Sequence, residues 1–172
     1  IRDFEIEGMS IGDSLLDYYG QEKIIKKLKN TKQYYNNNDY KLIVFYNSTL
    51  NYDGFRFHLR SKDKTYKIYQ ISGYKKMNFE KCKNIKDDVA DEIEGSFQSA
   101  IRKDGKIKKH AYDKSGKSKT ISSFFNLDSG RINITCTDWS SKLTKEKQWN
   151  DKLTVGIYSK EFIYWINNVA YK

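Results

Sequence analysis

A chain of 172 residues is long enough to bury its own interior, and its apolar (38%) and aromatic (15%) residues recur with a periodicity that excludes a disordered chain. No apolar run approaches the ~20 residues that cross a bilayer, which excludes a spanning helix and predicts a soluble domain over residues 1–172. The net charge of +10 raises nucleic acid as a partner, yet Arg2, Arg56, Arg60, Arg102 and Arg131 are the only arginines, and base and phosphate recognition favours the arginine fork over lysine.

The richness in Asn, Ile and Tyr without proline points to an AT-rich coding bias as one source of the lysine. Because the chain starts at Ile1 rather than methionine, a removed secretory signal is the expected explanation.

Along the chain, Phe4 and Ile6 alternate with polar neighbours, as in a short strand ending at Gly8. Ser10-Ile11-Gly12-Asp13 has the form of a capping box, which predicts a helix to Tyr19, stopped by Gly20. A second amphipathic helical stretch carries Ile24, Ile25 and Leu28, and Thr31 to Asp39 is a polar loop. Tyr40 to Tyr46 is a continuous apolar run that suits a central strand. Phe55, Phe57 and Leu59 alternate with Arg56, His58 and Arg60, which places His58 on an exposed polar face; Tyr66, Ile68 and Gln70 complete an antiparallel meander.

Asn78 is the expected N-cap of a long helix with Phe79, Cys82, Ile85, Val89, Ile93 and Phe97 on one stripe, and Asp87, Asp88, Asp91, Glu92 and Glu94 on a solvated face. Residues 98–117, rich in Lys and Gly, read as a long loop or weak hairpin. Ile121 to Leu127 and Ile132, Ile134 and Cys136 form a hairpin around Asp128-Ser129-Gly130. Residues 140–148 read as a polar loop. Leu153, Val155 and Ile157 are a further strand, and Ser159 caps a last helix with Phe162, Trp165, Ile166 and Val169 on its apolar stripe. The fold class is therefore α+β, an antiparallel sheet covered by helices. The order helix, three strands, helix, three strands, helix suggests a degenerate repeat with units 1–77 and 78–172.

Two short words suggest chemistry. Gly12-Asp13-Ser14-Leu15 spells the nucleophile block of the GDSL hydrolases, but the buried strand before it is missing, and so are the later blocks: Asn36 stands where a glycine should precede Asn38-Asp39, and Ile107 and Phe55 where an aspartate should precede His110 and His58. Gly116-Lys117-Ser118 is the tail of a phosphate-binding loop whose first glycine is replaced by Ala111 and whose helix is absent. Two distant histidines and two distant cysteines offer no metal-ligand spacing, and no catalytic set or cofactor is expected. Trp139 and Trp149 flank the 140–148 segment and, with Lys106, Lys108, Lys109 and Lys117, form the candidate binding surface.

Cys82 lies on the apolar stripe of the long helix, and Cys136 shares the phase of Ile132 and Ile134. Both point into one layer, which predicts a Cys82–Cys136 disulfide in an exported protein.

Glu7-Gly8-Met9-Ser10, leading through Leu15-Leu16 to Gly20, is similar to the opening of the small outer-membrane-assembly lipoproteins (SmpA/BamE) and of tandem-repeat β-lactamase inhibitor proteins. That likeness implies an α+β protein-binding module without catalysis. IEGMSIGDSLLDY (6–18), YDKSGKSKT (112–120), Cys136-Thr137-Asp138-Trp139 and the terminal Ser159-Lys160-Glu161-Phe162 to Trp165 resemble an uncharacterised family of short exported proteins from AT-rich marine bacteria, which implies export. The expected function is thus a non-enzymatic periplasmic or extracellular protein that binds a partner protein or itself. Electrostatic binding of nucleic acid and a serine hydrolase using Ser14 are the competing classes.

Overall fold

A computed structural model describes residues 1–46, 49, 51–97 and 100–172. Along the chain run α1 (Gln21–Asn30), β1 (Tyr40–Phe45), β2 (Gly54–Arg60), β3 (Ile68–Lys76), α2 (Phe79–Ser96), β4 (Ile101–Asp104), β5 (Lys108–Lys109), β6 (Lys119–Leu127), β7 (Gly130–Asp138), α3 (Ser141–Lys147), β8 (Lys152–Ser159) and α4 (Lys160–Asn168). The strands form one eight-stranded antiparallel sheet in the order β1-β2-β3-β8-β7-β6-β4, with β5 also on β6, as the α+β reading expects. Among the described residues no helix is long and apolar enough to cross a membrane. The chain divides into two compact units: Ile1–Gly73 with Asp128–Arg131 and Gly156–Lys172, and Tyr74–Leu127 with Ile132–Val155.

In the first unit the amino-terminal segment departs from the sequence-based expectation twice. The strand expected at Phe4–Gly8 is a tight turn in which the Ile6 and Met9 amides and carbonyls pair reciprocally (2.9 and 3.1 Å) across Glu7 and Gly8, both at positive φ. The helix expected from Ser10 to Tyr19 shrinks to a single 3-10 turn, Leu15–Asp17, capped by Ser14. Half of the capping box does form, since the Ser10 amide donates to Asp13 Oδ2 (2.8 Å). Helix growth is blocked because the Gly12 and Leu15 amides donate instead to the carbonyls of Ile68 and Tyr66 (2.9 and 3.0 Å), and the Ile68 amide to the Asp13 carbonyl (2.9 Å). Gly12 sits at φ 96°, outside the right-handed helical region. Capping preferences are worth about 1 kcal/mol, too little to outweigh three long-range backbone bonds and the full burial of Leu15.

The apolar run at Tyr40–Phe45 also has a cause other than the expected one. β1 is not central; it ends the sheet. Its residues are apolar because both faces are covered. On one face Tyr19 stacks on Phe45 (3.9 Å between ring centroids), beside Phe57 and the buried Ile24 of α1. On the other, Phe162 and Trp165 of α4 close on Tyr40 and Tyr69, with Ala170 beneath. Ser159 caps α4 as expected, its Oγ accepting from the Phe162 amide (3.1 Å). Each such ring removed from water contributes roughly 2–3 kcal/mol.

That second covering buries His58, which the alternation had placed in solvent; it is 8% exposed. Its Nδ1 donates to Gln70 Oε1 (2.5 Å), its Nε2 accepts from the Tyr35 hydroxyl (2.6 Å), and its ring lies 4.5 Å from that of Phe162.

In the second unit Asn78 caps α2 by accepting from the Lys81 amide (2.9 Å), as expected. The fully buried stripe is Cys82, Lys86, Ala90 and Ile93, whereas Phe79, Ile85, Val89 and Phe97 are half-buried. Lys86 is buried because its Nζ donates to Ser123 Oγ (3.0 Å) and to Asp87, while Ser123 donates on to Asp104 Oδ1 (2.5 Å). Arg102 then gathers Asp104, Asp91 and Glu94. The helix acids are exposed as expected, and two of them are held by this guanidinium.

The 98–117 segment, of which residues 98 and 99 lie outside the described set, contains the short strands β4 and β5 on β6. The loop expected at 140–148 contains α3, capped by Ser140 and closed by Gln148 in the left-handed conformation. The predicted disulfide is present: Cys82 on α2 bonds Cys136 on β7 with a Cα separation of 5.8 Å, both are fully buried, and no free cysteine remains.

Replacing both cysteines by serine opens a cross-link of sequence separation 54, and the chain-entropy relation gives a loss of about 4 kcal/mol, to be read as a lower urea midpoint against the oxidised protein.

Burial, with Arg56 adding to it and the Gln70 bond opposing it, lowers the His58 pKa from 6.5 to about 4. The unfolded chain therefore binds a proton at higher pH than the fold does. This contribution to stability is full above pH 6.5, is lost as pH falls towards 4, and reaches about 3 kcal/mol. Urea titrations at pH 7 and 4.5 should show a smaller difference for His58→Gln than for the wild type.

Candidate functional site

The candidate surface lies in the second unit and is built on β5. Lys108 and Lys109 pair with Thr120 and Lys119 of β6, and the His110 amide continues the ladder to the Ser118 carbonyl (2.8 Å). The chain then turns, and Asp113 organises the turn. One carboxylate oxygen accepts from the Ser115 amide (3.0 Å) and hydroxyl (2.7 Å), the other from the Ser118 amide (3.0 Å) and hydroxyl (2.6 Å). These bonds, led by the Ser118 and Ser115 hydroxyls, hold the Asp113 carboxyl far below the ordinary carboxylate range. Gly116, at φ 70°, completes the turn. Gly116-Lys117-Ser118 is therefore part of an Asp-centred turn between two strands, not the start of a helix.

Ser118 ties this turn to the next element. Its Oγ accepts from the Ser140 amide (2.9 Å) at the start of α3. Just before α3, the Trp139 amide donates to Asp151 Oδ1 (2.8 Å), and just after it the left-handed Gln148 returns the chain so that Trp149 meets Trp139. Four rings result in a row: His110 to Trp139 at 4.3 Å, Trp139 to Trp149 at 4.6 Å, and Trp149 to Tyr112 at 4.9 Å. Tyr112, at the open end, is 56% exposed. The His110 pKa is lowered by burial and by the Lys152 charge, against a weaker pull from Asp113, and its Nδ1 accepts from the Tyr112 amide (3.2 Å), so the imidazole in the row is neutral. The Trp139 indole N–H is buried, with no partner among the described residues.

Of the residues singled out in the sequence, Trp139 and Trp149 are brought into contact. Lys106, Lys108, Lys109 and Lys117 are all exposed. Strand alternation puts Lys108 on the side of the His110 ring and Lys109 on the other, where its alkyl chain lies against Gly116. His110 and Tyr112 belong to the row but escaped the sequence reading. Their signal was an i, i+2 aromatic pair at the end of a basic strand, which carries meaning only once Trp139 and Trp149 are known to face it.

Ser14 lies in the first unit. Its hydroxyl donates to the Thr65 carbonyl (2.7 Å) and accepts from the Leu16 amide (3.2 Å). Both histidines are engaged elsewhere, His58 with Tyr35 and Gln70 and His110 in the ring row.

A second concave region, also in the first unit, was not anticipated. A groove of about 890 Å³ is floored by Tyr40 and Tyr69 and walled by Arg60, Lys67 and Glu161. The Arg60 guanidinium lies 5.4 Å from the Tyr69 ring centre and pairs with Glu161, and Lys67 approaches the same ring at 5.4 Å. Of its charges, Arg60 is held by Glu161 and by the Tyr69 ring, and Lys67 by the same ring.

No protein-family model, curated protein or solved structure matches this chain.

Proposed function

We propose that this protein is an exported, non-enzymatic binding domain of the periplasm or extracellular space, which docks through the His110–Trp139–Trp149–Tyr112 row on a partner protein or on a second copy of itself. The row carries this reading. Four rings in tilted contact, ending on an exposed tyrosine, form a rigid, amphipathic surface that loses little entropy on binding, and such rings are what protein interfaces concentrate at their centres. The turn and the α3 start are fixed from within by Asp113, Ser118 and Ser140, so the surface is preorganised.

Export draws its support from the cysteines. Both are consumed in one buried bond, which persists in an oxidising compartment and is rare in a reducing one. The bond from the Ser14 hydroxyl to a backbone carbonyl supports a structural role for that serine rather than a nucleophilic one. A second reading, single-stranded nucleic acid, is favoured by the same rings with the exposed Lys108 on the His110 side of β5, because bases stack on aromatic faces while lysines meet phosphates.

A photo-crosslinking side chain at position 112, introduced in the producing cell, is expected to yield protein adducts or a cross-linked dimer, and the same group at the exposed Lys81 of α2 is expected to yield neither. Trp149→Ala should weaken the captured contact by about 2 kcal/mol, a factor of roughly thirty. Adducts with nucleic acid, with affinity falling steeply as salt is raised, would replace this reading by the second. Free thiols at Cys82 and Cys136 in the rapidly alkylated native protein would overturn export.

A further inference from the structure

β1 ends the sheet, and its outer edge has a definite chemistry. The Asp39 carbonyl accepts from the Ser61 amide (2.8 Å), next to the β1–β2 register, so residues 39, 41, 43 and 45 direct their backbone groups towards β2. The Leu42 carbonyl points the other way and accepts from the Thr31 hydroxyl. By the same alternation the N–H and C=O of Val44 face outward, and among the described residues no strand pairs with them.

Two clefts run along this edge. One, of about 590 Å³, has Ile43 and Val44 on its floor and Lys23, Lys26, Lys27 and Lys32 on its walls. The other, of about 410 Å³, continues past Thr31 and carries Lys32, Lys41 and Lys62. Neither lining contains an aspartate or glutamate. Tyr34 and Tyr46 stand at the margins, 57% and 75% exposed. The Lys27 ammonium is held 5.6 and 5.5 Å from the Phe45 and Tyr46 ring centres, so the positive charge is anchored beside the edge rather than dispersed in solvent.

We propose that this edge takes an acidic, extended segment of a partner protein, added as a further strand alongside Val44 with its carboxylates on the lysines of α1 and of the 31–41 segment. Three features select that occupant together. Six lysines without an acid call for a polyanion, the half-buried Val44 offers an apolar contact to a side chain of an added strand, and the outward amide and carbonyl of Val44 are satisfied in full only by another backbone. A nucleic acid or an anionic polysaccharide would answer the charge and leave the ladder unmet. Thr31 marks the end of the ladder, because its hydroxyl already serves the Leu42 carbonyl as an added strand would. The site shares no residue with the ring row, and it stands whether or not that row binds.

The test uses the purified chain and a fluorescent peptide alternating Glu with Thr, followed by anisotropy. Binding is expected, with at least a tenfold loss in the Lys26→Glu, Lys32→Glu double variant and no change in Trp149→Ala. A peptide N-methylated at alternate residues keeps every charge but cannot pair with a strand edge, and it should bind at least tenfold more weakly. Val44→Pro removes the outward N–H and leaves the β1–β2 bonds, so it should lose affinity with its melting temperature preserved; should that variant not fold, the methylated peptide carries the same question. Equal binding of the methylated peptide or of an oligothymidylate of matched charge would overturn the added strand, and absence of binding, or indifference to the lysine changes, would overturn the site.

Discussion

Trp165 is the contact on which the first unit depends. Its indole closes one face of β1 against Tyr40 and packs edge-on against Tyr35 (4.8 Å), and its ring N–H donates to Asn37 Oδ1 (3.0 Å). Through that bond, and through the Ala170 carbonyl that accepts the amides of both Asn36 and Asn37, the end of the chain fixes the 31–39 segment. The segment in turn brings Tyr35 to His58 and Thr31 to the edge of β1. A largely exposed polar loop is thus tied to the core through Tyr35 and Asn37, and a histidine on the polar side of β2 becomes buried beneath it. The edge chemistry of β1 is a consequence of the same clamp.

The second unit is held differently. α2 carries a lysine where its apolar stripe should continue, and Lys86 is tolerated because Ser123, Asp104 and Arg102 extend its bond into a chain of polar partners. A buried charge of this kind is costly unless each member is satisfied, so the network specifies how α2 lies over β6 rather than simply adding stability. Four residues further back, the Cys82–Cys136 bond fastens the same helix to β7. With α2 pinned at two points, the β5–β6 turn and α3 need only local bonds to present the ring row, and Asp113 and Ser118 supply them.

The two surfaces differ in kind. The ring row is a rigid aromatic face whose geometry comes from a turn and a helix cap. The β1 edge is a backbone face, given its charge preference by lysines that lie on a helix and a loop. The cations beside the β1 edge are lysines, point charges without the planar fork of arginine.

How much was legible in the sequence depended on the range of the interactions. α2 with its Asn78 cap, α4 with its Ser159 cap, the meander and the β6–β7 hairpin were readable because caps, turns and periodicity act within a few residues. The disulfide was readable because the phases of Cys82 and Cys136 placed both in one apolar layer. The tertiary structure alone decided the rest. Ser10 to Tyr19 carries a helical start signal but pairs with the residues leading into β3; Tyr40–Phe45 reads as a central strand and lies at an edge, since two covered faces impose the same apolarity as two paired edges. His58 alternates as a solvent residue and is buried by a helix about a hundred residues later in the chain. The tryptophans were visible as candidates, but not the row they form with His110 and Tyr112. Sequence proximity determines which local conformations are favoured, and only packing between distant segments determines which faces, edges and rings those conformations bring together.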